Sequence, residues 1–143
     1  MTSRTQSLMT GLAITASTLL TLSACSTPTL EDLVVGDCFN YSELTEDNPA
    51  APTINCAEEH EGEVYYIGDL EGSDTLTPED IDALADNACY AAFEPYVGVP
   101  FFESAYLYLA FVPTEEAWQN GDRNLLCILV SPDGTLTQKI GTT

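Results

Sequence analysis

The chain's 143 residues carry 23 carboxylates against three lysines and arginines and a single histidine, a formal charge of −20 at pH 7. So acidic a surface repels nucleic acid and anionic lipid alike, which excludes polyanion-binding classes and any membrane attachment through a basic patch. The length suits one domain with one core and leaves no room for a second.

Residues 1–24 begin with one charge, Arg4, and run on from residue 8 without charge and largely apolar. A basic start, an apolar middle and small residues at the end mark a secretory signal peptide. The closing stretch Leu22-Ser23-Ala24-Cys25 resembles the bacterial lipobox, in which the cysteine receives a diacylglyceryl group and becomes the first mature residue. Two other readings stay open. Residues 8–24 could remain as a membrane span, although 17 residues sit at the short edge of what crosses a bilayer; or the chain is secreted and Cys25 is incidental. On the lipoprotein reading, residues 25–33 form a short, polar, lipidated tether, and residues 34–143 form the domain. Arg123 and Lys139 then face all the carboxylates, and the acyl chains hold the protein on the outer face of the cytoplasmic membrane.

The domain opens with Gly36 as a turn and a short strand at Cys38-Phe39, followed by an exposed acidic loop through Asn48-Pro49. Thr53-Ile54-Asn55-Cys56 returns to the sheet, so Cys38 and Cys56 flank one hairpin-like excursion. Residues 63–68, rich in β-branched and aromatic side chains, predict a strand. Thr77 as N-cap, Pro78 at the first helical position and Asp80 as capping acid predict a helix start. Ile81, Leu84, Ala85, Ala88, Cys89, Ala92 and Phe93 recur at intervals of three and four as its apolar stripe. Glu94-Pro95 is expected to stop it. Residues 105–112 are apolar on both faces, as in a central strand. A capped turn at residues 114–118 and a tight turn at Asn120-Gly121 lead to a second central strand, 125–130, and Pro132-Asp133-Gly134 to a last edge strand, 135–140.

With Cys25 taken by lipid, Cys38, Cys56, Cys89 and Cys127 remain in an oxidising compartment and predict two disulfides. Four cysteines allow three pairings. The hairpin favours Cys38 with Cys56; if the face of Leu125, Cys127 and Leu129 meets the helix, Cys89 bonds Cys127. None has the C-x-x-C spacing of a redox or zinc site. The expected fold is α+β: an antiparallel sheet of about five strands, one long helix packed on a face, and two disulfides.

Three groups of residues are candidates for function. His60 stands among Glu58, Glu59, Glu61 and Glu63; it could act as a general base, but is expected to be a structural histidine beside a disulfide, on a solvated bend. Trp118, Asp122 and Arg123 could anchor a partner; the expectation is a structural cluster, with Arg123 stacked on Trp118 and paired with Asp122 or another carboxylate. Tyr96, Phe101 and Phe102 after the helix would be a binding patch if exposed. No EF-hand pattern appears in the sequence, and the acids are expected to form a solvated face without a metal.

Val35-Gly36-Asp37-Cys38-Phe39, Cys56 with His60 and Glu63-Val64, Ala88-Cys89 with Phe93, Tyr96-Val97-Gly98, and Pro113-Thr114 with Trp118, Gly121-Asp122-Arg123 and Cys127 together resemble the septum formation family of actinobacterial envelope proteins. The chain departs from that pattern at Glu58-Glu59, where a proline is expected before His60. The resemblance implies a link to division-septum assembly and brings no catalytic residues. The expected protein is thus a lipid-anchored interaction or binding module without catalysis, cofactor or nucleic acid, whose partner is the membrane and an envelope or division protein. The alternative is an envelope hydrolase or a small-ligand-binding lipoprotein using His60.

Overall fold

The computed structural model describes residues 27–45 and 47–141. The expected signal peptide and Cys25 lie outside the described residues. Residues 28–33, expected as tether, already belong to the fold. Thr29 N–H donates to the Asp32 carboxylate at 2.8 Å across a 3-10 turn at Leu30–Asp32, the Pro28 carbonyl accepts from Ala51 N–H at 2.7 Å, and Leu33 is buried.

Five antiparallel strands, β1 (Cys38–Phe39), β2 (Thr53–Ile54), β3 (Gly62–Asp69), β4 (Leu107–Phe111) and β5 (Asn124–Val130), form one sheet in the order β2-β1-β3-β5-β4. The long helix α1 (Pro78–Val97) packs on one face, and a short helix α2 (Glu115–Gln119) connects β4 to β5. Alternation along β3 and β5 sorts the side chains. Tyr65, Leu125, Cys127 and Leu129 pack under α1 with Ile81, Ala85, Cys89 and Phe93, whereas Val64, Leu126, Ile128 and Val130 meet Leu33, Phe39 and Ala51 on the other side.

Both disulfides form as the sequence predicts, Cys38–Cys56 and Cys89–Cys127, the second joining α1 to β5. The capping box is also present: Asp80 N–H donates to Thr77 Oγ1 and Thr77 N–H donates to the Asp80 carboxylate.

Three expectations need correction. Pro95 does not stop the helix, which runs to Val97 and ends at Gly98 in the left-handed region (φ 87°). Proline costs the helix one backbone bond, but Tyr96 beyond it is buried and anchored in the core, and that packing carries the last turn. Residues 105–112 are not central: β4 is an edge strand, and β5 lies between it and β3 with residues 125–130 all buried. The last strand is reduced to a single bridge, in which His60 N–H donates to Leu136 C=O at 3.0 Å and Leu136 N–H donates to His60 C=O at 2.7 Å. Beyond it the chain leaves the sheet, because the amides of Ile140 and Gly141 turn inward to a buried carboxylate.

Candidate functional site around Glu63 and His60

That carboxylate belongs to Glu63. It sits on β3, one strand period from Tyr65, and so points under α1, where it is 0% exposed. An ionised carboxylate in that position costs heavily unless hydrogen bonds replace its water. Three do: Oε1 accepts from Tyr96 O–H at 2.7 Å and Gly141 N–H at 3.0 Å, and Oε2 accepts from Ile140 N–H at 2.6 Å. Glu63 therefore clamps the last turn of α1 and the C-terminal segment to the sheet.

His60 lies beside it, 1% exposed rather than on a solvated bend. Its Nδ1 donates to the Glu58 carbonyl at 2.8 Å; because a carbonyl only accepts, Nδ1 carries the proton. Nε2 is buried without a hydrogen-bond partner. One donor atom each of Cys38, His60 and Glu63 lies within 4.8 Å of the others. The Cys38 sulfur is bonded to Cys56, however, and only a thiolate is a good nucleophile or metal ligand. Chemically the group can hold a proton at His60 and order the backbone; it presents no activated nucleophile.

Trp118, Asp122 and Arg123 are brought together, with Trp118 buried and Asp122 half-exposed. Trp118 is 0% exposed and donates through Nε1 to Ser73 C=O at 2.9 Å. The Arg123 guanidinium lies 3.9 Å over the indole, donates to the Trp118 and Asp122 carbonyls, and pairs with Asp74 rather than with the Asp122 carboxylate. Asp122 Oδ1 instead accepts from Asn124 N–H at 3.0 Å. Trp118 and Arg123 thereby support the loop between them.

The family model for septum formation matches residues 35–143, which hold every residue of both clusters. The chain belongs to the septum formation family. It matches no curated protein and no solved structure. The family name ties the domain to the septum or to division, and the family is not a known enzyme family.

In this septum formation domain the aromatic exit loop divides. Tyr96 is core, Phe101 is half-buried, and Phe102 stands 83% exposed against Tyr90 at 6.1 Å. A cleft of about 530 Å³ opens between Tyr90, Glu94, Gly98 and Phe101, and another of about 630 Å³ lies by Leu30, Ile67, Phe111 and Leu126. His60 and Glu63 line neither.

Burial, then the Glu63 carboxylate on its hydroxyl, raises the Tyr96 phenol well above its ordinary range. Burial, then Asp86, pushes Tyr108 up to about 12; Tyr65 is raised mainly by burial. All three are neutral donors at neutral pH. Because their folded values exceed the unfolded one, the stability they contribute is complete below about pH 10 and lost as pH climbs above it.

Sequence reasoning missed Glu63, Tyr96 O–H and the amides of Ile140 and Gly141. One signal was available: Glu63 stands two residues from Tyr65 and so shares a face of the strand with it.

Proposed function

We propose that the protein is a lipid-anchored, non-catalytic interaction module that serves septum or wall assembly from the outer face of the cytoplasmic membrane. The observation that carries this is the use made of its buried polar groups: Glu63 holds the C-terminal segment and α1, and Arg123 holds the Trp118 loop. Those groups keep the domain in shape while Phe102 and its neighbours face outward. Among the described residues no helix is long and apolar enough to cross a membrane; the anchor in this reading is Cys25, at the end of the lipobox-like Leu22-Ser23-Ala24-Cys25. Cys25→Ser is expected to release the protein from the membrane fraction or to leave it as an unprocessed precursor. Unchanged fractionation with the leader removed, read by immunoblot, would contradict the anchor.

One observation favours the alternative, a ligand-binding or hydrolytic protein using His60: the orphaned Nε2. His60→Gln separates the two readings. For an interaction module we expect complementation of a deletion strain to survive and the stability to change by about 1 kcal/mol. A folded His60→Gln protein that fails to complement would favour the His60-based reading.

A further inference from the structure

Of the sheet's two edges, β2 is only two residues long, while β4 offers five, Leu-Tyr-Leu-Ala-Phe from 107 to 111. An exposed edge strand presents a row of unpaired N–H and C=O groups, and natural sheets usually blunt it with lysine, proline or a bulge. β4 has none of these: it holds no charge and no proline, and its register with β5 runs unbroken from Leu107↔Val130 to Phe111↔Leu126. Among the described residues no backbone group outside β5 bonds to it.

The side chains give this edge a chemistry. Leu107 and Leu109, 45% and 40% exposed, share a face with Phe111, away from α1. Tyr108 points to the other face, where its hydroxyl donates to the Asp86 carboxylate at 2.6 Å and holds that charge beside the strand. Glu103 and Glu94 are exposed near Phe101, whose ring meets Tyr108 edge-to-face at 5.2 Å. Arg123 is bound to Asp74, and Lys139 lies by Gly36, next to β3. A second copy of this chain would bring another −20 to the contact, so self-pairing is opposed.

We propose that the free edge of β4 receives an extended, basic segment of the partner protein, which joins the sheet as a further strand with apolar side chains opposite Leu107 and Leu109 and a lysine or arginine opposite Tyr108, against Asp86. Backbone bonds give such an addition its affinity, and alternate side chains its specificity. This deepens, and rests on, the interaction-module reading.

The test adds a capped peptide of alternating valine and lysine to the full chain and follows amide hydrogen exchange by mass spectrometry. The peptide is expected to slow exchange across residues 107–111, and a valine–glutamate peptide is not. Leu109→Lys, and separately Leu107→Lys, should weaken the effect about fivefold through loss of a cross-strand pair and like-charge contact. Both positions are exposed, so the variants should keep wild-type circular dichroism; Thr53→Lys on the β2 edge should bind as wild type. Protection elsewhere, equal protection by the glutamate peptide, wild-type binding by both lysine variants, or a Leu109-dependent dimer without peptide would each overturn the proposal. If β4 is not protected while the deletion strain is still complemented by His60→Gln, the edge fails and the interaction module stands.

Discussion

Glu63→Ala is expected to destabilise the domain by about 3–6 kcal/mol, since it leaves the buried Tyr96 hydroxyl and two part-buried amides without an acceptor, at about 1–3 kcal/mol for a group that water cannot reach and less for one it can. Against a total stability of about 5–15 kcal/mol, that is a large share. The donors are Tyr96 O–H, Ile140 N–H and Gly141 N–H, so the loss should concentrate where they sit. Urea unfolding should show a lowered midpoint, and hydrogen exchange should show the C-terminal segment opening first. Glu61→Ala is the matched control two residues away. Its carboxylate accepts from Ser42 N–H and O–H at 2.7 and 2.6 Å near the surface, where water can replace it. Its expected cost is about 1 kcal/mol. Equal losses from the two variants would show that Glu63 does not clamp the C-terminal segment.

The second large effect is expected from the paired substitution of Cys89 and Cys127 by alanine. In the chain-entropy account a bridge across 38 residues contributes about 4 kcal/mol and one across 18 about 3 kcal/mol. The larger bridge also joins two different layers, α1 and β5, through sulfurs that are fully buried. Its loss should therefore lower the urea midpoint more than loss of Cys38–Cys56, and should expose the helix-side core to hydrogen exchange. If the Cys38–Cys56 variant is the less stable of the two, the entropic ranking is wrong for this fold.

Local and periodic information sufficed for the architecture. The capping residues Thr77, Pro78 and Asp80 and the three-and-four spacing from Ile81 to Phe93 are decided within one helix, and they place Cys89 on the buried stripe. Period-two alternation in residues 125–129 sets Cys127 on the face that meets it, so the disulfide between layers was legible before the layers were. The stacking of Arg123 on Trp118 followed from the scarcity of cations among so many carboxylates.

What failed were the decisions that depend on a distant part of the chain. Two apolar runs, 107–111 and 125–130, read alike, and only pairing with β3 determines that β5 is inside and β4 at the edge. Pro95 carries a local stop signal, which is overridden by burial of Tyr96 against a carboxylate 33 residues away in sequence. Glu63 itself, one of four glutamates around a histidine, reads as solvent-facing, because Glu58, Glu59 and Glu61 precede it within five residues. Its partners at Ile140 and Gly141 are 77 and 78 residues away, and nothing in the local sequence announces them. Patterns of one turn or one strand fix which face of an element is apolar; a buried charge is stable only where groups from separate elements converge on it, and that convergence exists only in the folded chain.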